Sequence, residues 1–97
     1  MTNPSTPVRI LICDDQALVR TGYAAVFDAQ PGLRVVGQVG DGRAAVEAAL
    51  RLRPDVVIMD VRMPVLDGIE ATRQLAGPGT TGTSRVLVVT TFNLDDY

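Results

Sequence analysis

The 97-residue sequence contains no histidine and no lysine, and it has one cysteine. Without histidine the chain cannot be a phosphohistidine carrier, cannot hold a Ser-His-Asp triad, and lacks the residue on which most zinc sites depend. Its nine positive charges, all arginine, face eleven acidic residues for a net charge of −2. Such a balance supplies no basic field for nucleic acid or an anionic membrane. A lone Cys13 excludes an intrachain disulfide and fits a reducing compartment. Lying inside the apolar run VRILIC, it is expected to be a buried core thiol. The longest apolar runs are about four or five residues, against roughly 20 for a membrane-spanning helix. The opening stretch, Met1 to Pro7, is polar and Pro-rich without an apolar segment behind a basic start, so it does not read as a signal peptide. The expectation is a cytoplasmic chain with no membrane segment: a loose tail over residues 1–7 and one small domain over residues 8–97.

What is present alternates short apolar runs with helical periodicity. Val8 to Cys13 reads as a strand. From Ala17 to Ala29 the positions Val19, Gly22, Tyr23, Val26 and Phe27 recur at the spacing of one helix face, and Pro31-Gly32 punctuates. Leu33 to Val39 reads as a second strand. Asp41 is a good N-cap for a helix presenting Ala45, Ala48, Ala49 and Leu52, which Pro54 ends. Val56 to Met59 lacks polar alternation, as a strand buried on both faces of a parallel sheet does. Val61 to Asp67 reads as a loop, Gly68 to Leu75 as a short helix, Ala76 to Ser84 as flexible, and Arg85 to Val89 as a fourth buried strand. Alternation of this kind with right-handed crossovers predicts an α/β fold, a doubly wound parallel sheet.

Ligands of such sheets bind outside the carboxyl ends of the strands, near the point where strand order reverses. The first strand ends in Asp14-Asp15, the third in Asp60 and the fourth in Thr90. Taken singly, each has a bland explanation: aspartates at strand ends cap helices or sit in solvated turns, and threonine favours strands. Three carboxylates and a hydroxyl converging on one edge are a different matter. Like charges so close need protons or a cation. Hard carboxylate oxygens without His or Cys suit Mg²⁺. A metal beside a free carboxylate and a hydroxyl is a site for phosphoryl transfer onto that carboxylate.

The stretches ILICDDQALVRTG, DGRAAVEAALRLRPDVVIMDVRMPVLDGIEATRQL and VLVVTTF resemble the receiver domains of two-component response regulators, with a flavodoxin/CheY-like fold. The resemblance runs from about Val8 to the last residue. LVRTG after the acidic pair, and RMP with DGIEATR, further resemble NarL/FixJ-type regulators, which carry a C-terminal LuxR-type helix-turn-helix. The resemblance implies that Asp60 accepts a phosphoryl group from the phosphohistidine of a sensor histidine kinase. It implies that Mg²⁺ is held by Asp15 directly, by Asp14 mostly through water, by Asp60 and by the backbone carbonyl of Arg62. Thr90 would contact the phosphoryl group and act as the switch, while Met63-Pro64 and Asp67-Gly68 shape the adjoining loop. The full-length protein would form homodimers and reach DNA only through a C-terminal domain absent from this chain. It would be a phosphoacceptor that assists its own phosphorylation and dephosphorylation rather than a turnover enzyme.

The family also carries a Lys at the end of a fifth strand, and this sequence has none. The implied chain therefore lacks the last helix-strand-helix portion. Three rivals are weaker. A pseudo-receiver that docks or dimerises without phosphorylation is opposed by the complete acidic triad with Thr90. An aspartyl-phosphate phosphatase wants D-x-D on the first strand, where Asp14 and Asp15 are adjacent. A nucleotide binder wants a phosphate loop after Cys13, and none follows. A strand edge at Arg85 to Thr90 left without its neighbour, and a first helix without its companion, would expose several hundred Å² of apolar surface. At roughly 25 cal/mol per Å² this is on the order of 10 kcal/mol, comparable with the whole net stability of a small domain. The isolated 97-residue chain is thus expected to self-associate, swap elements or stay partly unfolded; light scattering checks it, and a monodisperse monomer with a cooperative melt would contradict it.

Overall fold

Apolar runs short enough to be strands and stretches with helical spacing set the element order. The computed structural model describes residues 6–60, 68–76 and 85–89. In chain order these form β1 (Val8–Cys13), α1 (Ala17–Asp28), β2 (Leu33–Val39), α2 (Gly42–Leu52), β3 (Val56–Asp60), α3 (Gly68–Ala76) and β4 (Arg85–Val89). The third strand runs one residue beyond the expected Val56 to Met59, because Asp60 still pairs with Val89. The first helix stops one residue short, with Ala29 as its C-cap. Ala76 closes α3; the rest of the stretch expected to be flexible, the expected loop from Val61 to Asp67, and Met1 to Ser5 of the expected tail lie outside the described residues.

The strands form a sheet in the order β2-β1-β3-β4, and each described pairing is parallel. The chain steps outward from β1 to β2, then crosses back over β1 to β3, so strand order reverses between β1 and β3. This is a doubly wound sheet, and its reversal point defines a crevice at the carboxyl ends of those two strands.

Side chains of successive strand residues point to opposite faces, and both faces of the central strands are covered. Leu11, Cys13, Val57 and Met59 pack on one face with Ala45, Ala48 and Ala49 of α2 and Ala71 and Leu75 of α3. The alanines let α2 lie close to the sheet. Gly37 serves the same end: a Cβ there would come within 3.0 Å of Leu52 Cδ1 and 3.1 Å of Leu11 Cδ1. It sits where the β1–β2 register slips, Ile10 facing Val35 and Leu11 facing Gly37. On the other face Ile10, Ile12 and Ile58 meet Ala24, Tyr23 and Phe27 of α1.

The packing face of α1 matches the expected one at Tyr23 and Phe27 but not at Gly22 or Val26. Val26 is 59% exposed, Gly22 has nothing within 4 Å of a built Cβ, and Ala24 is the helix's buried residue. The line that meets the sheet runs through Tyr23, Ala24 and Phe27, whose rings at positions 23 and 27 stack at 6.0 Å. Spacing alone admits both stripes, since Val26 neighbours Tyr23 on the helical surface. The fourth strand was expected to be buried and is not: β4 ends the described sheet with a neighbour on one side only, which leaves Leu87 and Val88 exposed.

The amino ends of the strands are tied by Asp55 and Arg9. The Arg9 N–H donates to Asp55 Oδ2 at 2.8 Å, the Asp55 N–H to the Arg9 carbonyl at 2.9 Å, and the Arg85 N–H to the Asp55 carbonyl at 3.0 Å. The Arg9 guanidinium reaches the Leu52 carbonyl at 2.8 Å and that of Arg53 at 3.1 Å, satisfying carbonyls orphaned where α2 ends. At the N-terminus of α2 the Asp41 side chain accepts from the Ala44 N–H at 2.8 Å, as its cap position predicts. Arg53, the C-cap residue, adopts φ 49 and ψ 58, the left-handed conformation that glycine takes without steric cost. Arg53→Gly is expected to stabilise the fold by about 0.5–1 kcal/mol, whereas Arg9→Ala should destabilise it by about 1–2 kcal/mol through unpaired carbonyls. Chemical denaturation of the two variants beside the parent measures both signs.

Candidate functional site

The register between the central strands brings the site together. Cys13 pairs with Met59, so the next residues along, Asp14 and Asp60, end the two strands that flank the reversal point. Both are buried, each 1% exposed, although both carry carboxyl groups. Asp15, next in the chain, is exposed. One carboxylate oxygen from each of Asp14, Asp15 and Asp60 lies within 4.8 Å of the others. The structure thus gathers three of the predicted site residues. Thr90, the Arg62 carbonyl, Met63-Pro64 and Asp67 lie outside the described residues; Gly68 opens α3.

Asp14 is held from three sides. Its N–H donates to the Val39 carbonyl of β2 at 3.1 Å. Its Oδ1 accepts from the Gln16 N–H at 2.9 Å, which supplies a partner to the start of α1, where Gln16 makes no side-chain cap of its own. Its carbonyl accepts from Arg20 Nη1 at 2.7 Å. Oδ2 is buried and has no hydrogen-bond partner among the described residues. Burial raises the Asp14 carboxyl above the usual carboxylate range; the Gln16 N–H opposes the rise, the charges of Asp60 and Asp15 add to it, and the Arg20 guanidinium opposes it more weakly.

These observations bear on whether a cation fits. An orphaned buried carboxylate oxygen, two further carboxylates within its reach and no soft ligand in the cluster form a hard-oxygen donor set. Mg²⁺ suits that set, and a divalent charge would offset the burial and the like-charge repulsion that raise the Asp14 carboxyl. Cys13, one residue away, contributes no thiolate: burial pushes its thiol up to about 12, in keeping with the core role read from the sequence.

Arg20, whose guanidinium holds the Asp14 carbonyl, carries no signal in the sequence beyond its place in LVRTG. A cation on the first helix, six residues after an acidic strand end, is the pattern that points to it.

Residues 10–97 match the family described as response regulator receiver domain. The chain is 42% identical over 92% of its length to the transcriptional regulatory protein LiaR of Bacillus subtilis, covering 41% of that protein. Among solved structures it is similar to the response regulator domain of Thermotoga maritima CheB (40% identity, TM-score 0.79, 87% of this chain and 60% of that one). It is similar as well to the signal receiver domain of the response regulator NarL from Mycobacterium tuberculosis (32% identity, TM-score 0.80, 90% of this chain and 68% of that one). The chain spans about two fifths of the length of the first curated relatives it matches. No helix among the described residues is long and apolar enough to cross a membrane.

A carboxyl whose pKa is raised by folding stays protonated in the folded state while the unfolded chain, near pKa ~3.9, has already ionised. Its contribution is neutral below the unfolded value, grows more destabilising as pH rises from there to the folded one, and is constant and fully unfavourable above that. For Asp14 the metal-free protein should therefore gain stability from this group as pH falls through its raised folded pKa toward ~4. Asp14→Asn should raise the metal-free Tm at pH 7 and flatten that part of the pH dependence. Thermal melts at pH 5 and 7 check the pair of signs, and a metal-free variant less stable than its parent at pH 7 would contradict them.

Proposed function

The chain belongs to the response regulator receiver domain family, and from that premise we propose that Asp60 is the phosphoacceptor of a signalling switch. The partner that supplies the phosphoryl group would be the phosphohistidine of a sensor histidine kinase. The observation that carries the reading is the placement of a buried carboxylate, Asp60, at the reversal point of the sheet, with oxygens of Asp14 and Asp15 within 4.8 Å. A phosphoacceptor needs an anionic oxygen at a ligand crevice and a means of offsetting the charge that gathers there; Asp60 would be the first, and a cation held by the neighbouring carboxylates would be the second.

In the proposed reaction an Asp60 carboxylate oxygen attacks phosphorus in line with the phosphoimidazole. A P–O bond forms, the P–N bond breaks, and the imidazole nitrogen keeps the electron pair and takes a proton from solvent. The product is an acyl phosphate on Asp60; attack by water at phosphorus returns the carboxylate and inorganic phosphate. Asp15, exposed, and Asp14, through Oδ2, would hold Mg²⁺ together with Asp60 and the Arg62 carbonyl. When bound, the cation neutralises charge on the transferring phosphoryl oxygens. Burial of Asp60 limits the access of water to the nucleophile. Thr90 would hydrogen-bond a phosphoryl oxygen and carry the change outward.

The receiver unit is taken to span residues 8–97, in a cytoplasmic protein whose remaining length carries a DNA-binding output controlled through dimerisation. LiaR, a transcriptional regulatory protein by name, and the identity shared with it support that reading. The intact acidic triad disfavours a receiver that has given up phosphorylation.

Incubating the full-length protein with a small-molecule phosphodonor and Mg²⁺ should add one acid-labile phosphate by intact mass. Asp60→Asn should abolish the adduct, and omission of Mg²⁺ should slow it at least tenfold, a loss of about 1.4 kcal/mol of transition-state stabilisation. Label persisting in the Asp60→Asn protein would move the acceptor elsewhere.

A further inference from the structure

We propose that Arg20 is a positioning residue for the metal site, holding the Asp14-Asp15 turn in its cation-binding shape from a place kept open by Gly40. The inference rests on the receiver reading above, in which these carboxylates take Mg²⁺, and adds a residue outside the ligand set.

The geometry is specific. Arg20 lies on the first turn of α1 and folds back toward the end of β1, where Nη1 donates to the Asp14 carbonyl at 2.7 Å. That carbonyl belongs to the peptide joining Asp14 to Asp15, so the contact fixes the plane from which the exposed carboxylate of Asp15 departs. With the Val39 carbonyl accepting the Asp14 N–H and the Gln16 N–H held by Oδ1, the turn is anchored to β2, to the start of α1 and to the body of α1. Oδ2 is the part of Asp14 that these anchors leave available. A charge-assisted hydrogen bond with this geometry holds a backbone group more firmly than a neutral one.

Gly40 supplies the room. A Cβ at this position would come within 3.2 Å of Arg20 Nη1 and 3.9 Å of both its Cζ and the Asp14 carbonyl oxygen. Gly32 is the glycine with positive φ among the described residues, so Gly40 is not there for a left-handed backbone. Alanine fits the backbone at position 40 and crowds the guanidinium alone.

The sign of the effect separates positioning from simple charge. Arg20 is a cation close to a cation site, so by electrostatics alone its removal should tighten Mg²⁺ binding. If its hydrogen bond sets the turn, removal should loosen binding instead. Mg²⁺ titrations of the full-length protein, followed by the amide NMR shifts of Cys13, Asp14 and Asp15, read the difference. Arg20→Met, which keeps an apolar stem, is expected to raise the Kd about tenfold, or 1.4 kcal/mol. Arg20→Lys, with a single donor nitrogen on a slightly shorter stem, should recover part of that loss. Gly40→Ala should weaken binding in the same direction, and adding it to Arg20→Met should bring no further loss, because both changes break one contact.

Variants are compared by their shifts only where the remaining amide spectrum overlays that of the parent, and Gly40→Ala provides the arm in which Arg20 itself is untouched. Unchanged or tighter Mg²⁺ binding in both Arg20→Met and Gly40→Ala, with a normal response in the parent, overturns the positioning role and leaves the receiver reading standing. Absence of any Mg²⁺ response in the parent overturns the metal reading and this inference with it.

Discussion

Everything in this structure is arranged around carboxylates that repel one another and cannot easily reach water. Two unit charges about 5 Å apart at an effective dielectric of ~20 repel by roughly 3 kcal/mol, a large share of the 5–15 kcal/mol by which a small domain is stable. Asp14 and Asp60 are nevertheless both 1% exposed, with Asp15 at the mouth. Their cost in the metal-free state is visible in the raised Asp14 carboxyl. A fold tolerates such a cluster where the unfavourable state is relieved by something bound, and a hard divalent cation would meet that need.

The sheet topology makes the cluster unavoidable. Once β1 and β3 are parallel neighbours in register, residues 14 and 60 end side by side. The rest of the molecule enforces the register. Alanines on α2 and the missing side chain at Gly37 let the helix lie against the central strands. Asp55 and Arg9 knit the opposite pole, so that slippage of β3 against β1 would break hydrogen bonds at the end far from the site. Arg20 and Gln16 then finish the job locally by fixing Asp14 on the turn that leaves the sheet.

Much of this was legible in the sequence, for physical reasons. Strands buried on both faces are uninterrupted apolar runs, so VRILIC and VVIMD declared themselves; RVLVV declared its strand but not its burial, since Leu87 and Val88 are exposed, and the Asp41 cap declared the start of α2. The acidic residues that end the strands followed from the same reading, since a doubly wound sheet puts strand ends at one edge. The face of α1 was less legible: Val26 and Tyr23 lie on adjacent stripes of a helix, and which stripe is covered depends on how the helix crosses the sheet. The Arg20–Gly40 contact was illegible for a related reason. Its two members are distant in the chain, and one of them acts by having no side chain.

Beryllofluoride, which bonds to a carboxylate oxygen in place of a phosphoryl group, tests the central claim most directly, because it requires the acceptor and the cation together. By ¹⁹F NMR the full-length protein should show a bound beryllofluoride signal that needs Mg²⁺ and is lost in Asp60→Asn. A bound signal that survives that substitution, or that forms equally well without a divalent cation, would contradict the assignment of Asp60 and its neighbouring carboxylates as the switch.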